Sequence, residues 1–159
     1  MEGKKIGPNP TDRGKNGVKR SILTEANGIP LSVVIDGANR HDIKLARETF
    51  ESIIIERPKV TKKNPQGMCL DKGYDYDVIR DLLDEFGFIA HIRSRGEEAQ
   101  DIKQVDGYQA RRWVVERVHS WLNRFRRILV RWEKRADTFL AMLHIACGII
   151  TWRATGLLK

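Results

Sequence analysis

Two carboxylates stand where their surroundings could give them chemical work. Glu116 lies in the stretch ARRWVVERVHSWLNRFRRILVR, residues 110–131, and Asp71 closes the short apolar run MCLD. Carboxylates brought to one point from different elements supply the hard oxygen ligands that Mg²⁺ or Mn²⁺ prefers. Ions held that way support in-line attack at phosphorus, activating the attacking oxygen and stabilising the leaving one. The arginines around Glu116 would hold the phosphates. A plainer reading exists for each acid. Glu116 suits the first turns of a solvent-facing helix and pairs weakly with Arg112 four residues earlier, while an Asp before Lys72-Gly73 makes an Asx-type turn. Any α/β domain offers such pairs, so types and spacing alone leave both readings open.

The elements that must position these acids follow from periodicity. Val114, Val118, Trp121, Leu122, Phe125, Ile128 and Leu129 recur at three- and four-residue steps, which predicts one apolar, core-facing side of a helix spanning 110–131. A turn of about 100° per residue puts Arg112, Glu116, His119, Asn123 and Arg127 near the opposite side. Asp71 falls at the C-terminal end of a predicted buried strand, where open α/β sheets place their sites.

Residues 1–17, rich in Gly, Pro, Asn and charge, read as a basic extended arm. VKRSILTEA and IPLSVVID flank Asn27-Gly28 and predict two antiparallel strands. A helix follows with Asp42 as N-cap and Leu45, Phe50, Ile53 and Ile54 on its apolar side. After the MCLD strand comes a second helix, capped by Asp75, facing inward through Val78, Leu82 and Phe86 and ended by Gly87. FIAHIR predicts another strand, and a last apolar helix starts after Asp137. Strands alternating with helices indicate an α/β sheet covered by helices.

The chain has 159 residues, 41% of them apolar, enough for one domain with a real core. Residues 111–135 hold nine basic and two acidic side chains, so this stretch supplies +7 of the net +8. Charge gathered on one helix suits a nucleic-acid backbone. A membrane is disfavoured because the apolar side is needed for the core; the longest apolar run, residues 139–152, is interrupted by His144 and is too short to span a bilayer. The N-terminus lacks the apolar segment of a secretory signal. Cys69 and Cys147 lie in apolar segments without Cys/His clustering, which predicts buried thiols in a reducing compartment, the cytoplasm, and no zinc site. His41-Asp42 reads as the start of a helix rather than a dyad, His144 and Trp121 as core residues, and Trp132 as a candidate for DNA contact.

The segments TDRGKNGVKR, GANRHD, LDKGYD, RRWVVERVHSWLNRFRR and RADTFLAMLHIACGII resemble the DDE transposases of bacterial insertion sequences, in the group with an RNase H-like domain. The resemblance covers essentially the whole chain, and LDKGYD and WVVERVHSWLNRFRR are its most distinctive parts. It implies that Asp71 and Glu116 are the second and third acids of an Asp-Asp-Glu triad binding Mg²⁺ or Mn²⁺. It implies further that Arg112 approaches the DNA phosphates; Arg117, Arg124, Arg126, Arg127 and Arg131, as the other cations of the basic stretch, are expected to contact DNA beside it. The family's tyrosine position falls on Gln109, one place from Tyr108, and its lysine position falls on Asn123. The triad's first aspartate has no match, since Asp12 lies inside the loop motif and Asp36, ending the second hairpin strand, does not occupy the motif position.

The expectation is therefore a catalytic domain over 18–159 that is incomplete, an RNase H-like mixed sheet flanked by helices with its first central strand missing. The enzyme implied cleaves and transfers DNA strands at element terminal repeats and target DNA. This chain would be a truncated copy or one half of a split reading frame, acting as a homodimer or with a complementing N-terminal half. The rival expectation is an inactive DNA-binding remnant or a regulator of a full-length transposase.

Overall fold

The computed structural model describes residues 5–92 and 112–156, the side chain of Arg112 excepted. In chain order the elements are β1 (Gly7–Pro8), β2 (Asn16–Thr24), β3 (Pro30–Gly37), α1 (Ile43–Glu51), β4 (Gly67–Leu70), α2 (Asp77–Glu85), β5 (Ile89–Ile92), α3 (Arg112–Leu122), α4 (Arg126–Leu129) and α5 (Ala136–Ala154). This is a mixed α/β architecture. It forms two compact units, Met1–Ile54 with Val114–Lys159, and Ile55–Trp113. The predicted loop between FIAHIR and the basic helix, with Tyr108 and Gln109, lies outside the described residues.

In the first unit β1, β2 and β3 form an antiparallel sheet in that order. The hairpin register runs from Val18 opposite Gly37 to Thr24 opposite Pro30. Its turn is closed by Glu25, whose carboxylate accepts the amides of Asn27 and Ile29, while Gly28 takes a φ of +88°. Strand β3 is covered on both sides, which explains the consecutive apolar residues Val33, Val34 and Ile35. Val33 and Ile35 join Val118, Leu122, Ile128, Phe139, Leu143, Ala146, Cys147 and Ile150 in the core. On the other side Ser32 donates its hydroxyl to the carbonyl of Thr49 on α1 at 2.7 Å, and the Thr49 hydroxyl donates back to Leu45. These bonds satisfy the polar groups that this interface buries.

The second unit is smaller. β4 and β5 pair in parallel, Gly67 opposite Ile89 through Leu70 opposite Ile92, and α2 connects them as a parallel pair requires. Met68, Ile79, Leu82, Leu83 and Phe88 are buried. Arg57 lies over the Phe88 ring at 3.9 Å and donates twice to Gln66 Oε1.

Several expectations are corrected. The basic segment is not one helix: it breaks after Leu122, turns through Phe125 in an extended conformation, and resumes as the single turn of α4. Leu129 is exposed as a result. Asp42 sits at the helix start without capping it, because its carboxylate pairs with Lys19 at 3.2 Å. Asp75 likewise leaves the cap position to Tyr76 and takes Lys72 and Arg80 instead. Helix α1 ends at Glu51, leaving Ile54 75% exposed. The buried side of α2 is set by Ile79, Leu82 and Leu83, so Val78 is 68% exposed. Strand β4 alternates, with Met68 inward and Cys69 exposed, so only Cys147 is the buried thiol expected. His144 is exposed. Gly87 ends α2 with a φ of +71°, as its position predicted. No helix among the described residues is long and apolar enough to cross a membrane.

Candidate active site and nucleic-acid interface

Glu116 stands in the second turn of α3, between Val114 and Val118, both buried. These two valines fix the helix on the core of the first unit and turn Glu116 outward, where it is exposed. Its carboxylate makes no hydrogen bond or ion pair with the described residues, so none of those accounts for it structurally. The Arg112 side chain, its expected partner, lies outside the described residues.

Asp71 belongs to the second unit. It follows β4 directly, exposed, in an extended conformation with φ −69° and ψ 156°. Its carbonyl accepts the amide of Tyr74 at 2.9 Å, closing a single 3₁₀ turn over Lys72–Tyr74. The carboxylate does not cap that turn, so the plain Asx-turn account fails. Beside it, Lys72 and Arg80 hold Asp75 below the ordinary carboxylate range through their hydrogen bonds.

Asp36 is spent on its own loop. One carboxylate oxygen accepts the Gly37 amide at 2.8 Å and the other the Arg40 guanidinium at 3.0 Å. His41 serves its helix start, its Nδ1 accepting the Ile43 amide at 3.4 Å.

The arginines sort into two sets. Arg124 and Arg126 are exposed and make no hydrogen bond or ion pair with the described residues. Arg117, Arg127 and Arg131 are engaged by the protein. Arg117 donates to the Asn27 carbonyl in the hairpin turn and lies over the Trp121 ring at 4.7 Å. Arg127 pairs with the nearly buried Glu133 at 3.2 Å. Arg131 donates to the Glu133 carbonyl at 2.9 Å and lies over Phe139, where burial lowers its pKa. Trp132 is exposed beside them.

One cation was missed. Val18 and Ile22 pack against the core of the first unit, and strand alternation puts Arg20 on their side. Its Nη2 donates to Asn123 Oδ1 at 2.8 Å, and its Nη1 is buried without a hydrogen-bond partner among the described residues. Asn123 follows the last turn of α3, where a cation is favoured by the helix dipole. Burial lowers the Arg20 pKa. Burial, and then the Arg20 charge, lower that of His119. Burial pushes the Cys147 thiol up to about 11. A cation therefore reaches Asn123 from strand β2. The alternation Val18, Arg20, Ile22 was the signal for it.

As ligands, Asp71 and Glu116 offer carboxylate oxygens, the donor chemistry of a hard divalent cation. No group of three or more His, Cys, Asp and Glu side chains that could hold a metal ion occurs among the described residues.

The model of the family described as "Transposase DDE domain" matches residues 2–150. A protein of Burkholderia cepacia named as a transposase for insertion sequence element IS402 is 37% identical over 157 residues, covering 93% of this chain and 69% of that protein. No solved structure matches significantly. With nearly its whole length matched by the family, and that degree of identity to one of its insertion-sequence members, the chain belongs to the DDE transposases of insertion sequences.

Proposed function

We propose that Asp71 and Glu116 serve as two ligands of a divalent-metal site that cleaves DNA strands at element ends and joins them to target DNA. The observation that carries this reading is Glu116: an acid on a helix rich in arginine, exposed, with a carboxylate that none of the described residues engages. Mg²⁺ or Mn²⁺ bound there supplies Lewis acidity for phosphodiester attack. Buried valines on either side fix the backbone of Glu116 on its helix, and Asp71 offers a second carboxylate from a strand end. Arg124 and Arg126 meet phosphate directly, with Arg112 at the family's arginine position. Arg117, Arg127 and Arg131 brace the surface and add to its positive field.

The finer fold assignment is an RNase H-like sheet that lacks its first central strand here. It is supported by the strand pairing within each unit, an antiparallel hairpin in one and a parallel pair in the other. The edge of β2 away from β3 is paired only at Asn16 and Gly17 among the described residues, which leaves most of its backbone groups open to a further strand.

A nicking assay with duplex DNA carrying the element's terminal repeat, in Mg²⁺ or Mn²⁺, tests the reading. Cleavage should be lost in Asp71→Ala and Glu116→Ala while DNA binding persists. Replacing Arg124 and Arg126 by Ala should weaken binding and reduce the salt dependence of log K by roughly 2. Cleavage that survives Glu116→Ala refutes it. Binding without cleavage favours the second reading, an inactive remnant or regulator. Cleavage restored by adding an N-terminal transposase segment returns the assignment to the enzyme, with this chain as one part.

A further inference from the structure

The basic segment breaks after Leu122 with nothing in its local sequence to break it. Residues 120–126, SWLNRFR, contain neither Gly nor Pro, the residues that stop helices. Yet the amides of Arg124 and Phe125 turn back to the carbonyls of Trp121 and Leu122, a tighter turn than the α-helix makes, and Phe125 is extended with φ −83° and ψ 108°. The contact made at this point comes from strand β2. Arg20 Nη2 donates to Asn123 Oδ1 at 2.8 Å, across 103 positions of sequence.

Arg20 does not serve stability there. Its Nη1 is buried with no hydrogen-bond partner among the described residues, and a charge buried in that state subtracts from stability. An apolar side chain would suit the core-facing side of β2 better, beside Val18 and Ile22. Nor is the guanidinium placed to meet DNA, since one terminal nitrogen is buried and the other is taken by Asn123. What the contact does is fix Asn123. Arg124 and Arg126 come next in the chain, both exposed and neither with a hydrogen bond or ion pair among the described residues. Had α3 run on, Asn123 and Arg127 would have continued the line of Glu116, with Arg124 and Arg126 to either side of it. The break sends Arg127 to Glu133 instead, so the directions of Arg124 and Arg126 are set by the turn and not by the helix.

We propose that Arg20 is a positioning residue for the DNA grip: by holding Asn123 it fixes the turn from which Arg124 and Arg126 project, and so sets where they meet phosphate. This role rests on Arg124 and Arg126 being phosphate contacts.

Fluorescence anisotropy of duplex DNA carrying the terminal repeat, titrated with the full chain at several salt concentrations, tests it. Asn123→Ala removes the acceptor from an exposed position, and Arg20→Met removes the donor while keeping an unbranched side chain. Each should weaken binding by roughly tenfold and lower the salt dependence of log K by roughly 1 to 2. Asn123→Ala changes no charge, so its smaller salt slope cannot come from a lost cation. The urea midpoint of Arg20→Met should hold or rise, because the unpaired buried charge is gone. The deciding measurement is coupling. In a chain already carrying Arg124→Ala and Arg126→Ala, neither change should weaken binding further, since no contact is left to position. If Arg124→Ala with Arg126→Ala leaves binding unchanged, the phosphate-contact reading fails and this role with it. If that pair weakens binding while Asn123→Ala does not, the reading stands and the role of Arg20 is overturned. Losses that add in full overturn it too, because Arg20 then acts through the fold at large. Should Arg20→Met fail to fold, Asn123→Ala decides the matter alone.

Discussion

The two units hold their candidate acids by different means. Glu116 rides on a helix whose Val114, Val118 and Leu122 are all buried, in a core drawn from β3, α3, α4 and α5. Asp71 follows a four-residue strand that contributes one buried side chain, Met68, in a unit with five buried apolar residues among those described. A two-stranded sheet is marginal without a helix packed on it, and here that helix is α2. The difference teaches that one carboxylate is placed by a large core and the other by a small one, so the second is the one that loses its position first.

Removing the same side chain from each core gives the largest effect. Leu143 and Leu83 are both fully buried, and Leu→Ala at each should cost about 3 kcal/mol. Hydrogen exchange should then show Leu143→Ala losing protection across β3 and α5, and Leu83→Ala across β4 and α2. Because the smaller core has less to lose, Leu83→Ala should leave its unit the more exposed of the two. If Leu83→Ala deprotects β3 as much as β4, the two cores are not distinct and the comparison breaks.

A glycine in each unit sharpens it. Gly28 and Gly87 both have positive φ, +88° and +71°, where an L side chain costs about 1 kcal/mol. At Gly87 an added Cβ meets only ordinary contacts with Val60. At Gly28 it would lie 2.8 Å from Arg117 Nη2, so the guanidinium must leave the Asn27 carbonyl. Gly28→Ala should therefore cost about 2 kcal/mol and Gly87→Ala about 1 kcal/mol, read from urea midpoints. Equal costs would show that the Arg117 contact to the turn contributes nothing.

Much of this was legible in the sequence, and the misreadings share a cause. The hairpin, the strand before Asp71, α2 with Gly87 behind it and α5 follow from local pattern. The break after Leu122 does not, because Ile128 stays buried beyond it and so preserves the helical period of the apolar residues. What marks the break is Arg20, 103 positions away, hydrogen-bonded to Asn123. Asp42 and Asp75 have the right type for caps, yet each is drawn off by a cation, Lys19 for one and Lys72 with Arg80 for the other. The one-place error on α2 came from choosing Val78 over Ile79, adjacent β-branched apolar residues whose burial the packed strands decide. Asp71 and Glu116 stood out as acids in distinctive surroundings. Asp36 looked equivalent by type, and only its bonds to Gly37 and Arg40 set it apart.

The smallest effect separates the units by pH. His119 is held neutral by burial and then by the Arg20 charge, so its folded pKa lies below the ordinary 6.5. The unfolded chain binds the proton more readily, and the stability this gives is fully present above pH 6.5 and is lost as pH falls through the depressed folded value. In the second unit Asp75 is held below 3.8 by Lys72 and Arg80. Its contribution is present above that pH and disappears only as pH falls further. Lowering the pH from 7.5 to 5 should thus weaken the first unit through His119 while the Asp75 contribution stays intact, and His119→Gln should remove that part of the slope. Urea midpoints taken across this range, with the His119 imidazole followed by NMR, give the measurement. An imidazole that titrates at or above 6.5 would mean that Arg20 does not face it, and the buried cation beneath α3 would have to be placed elsewhere.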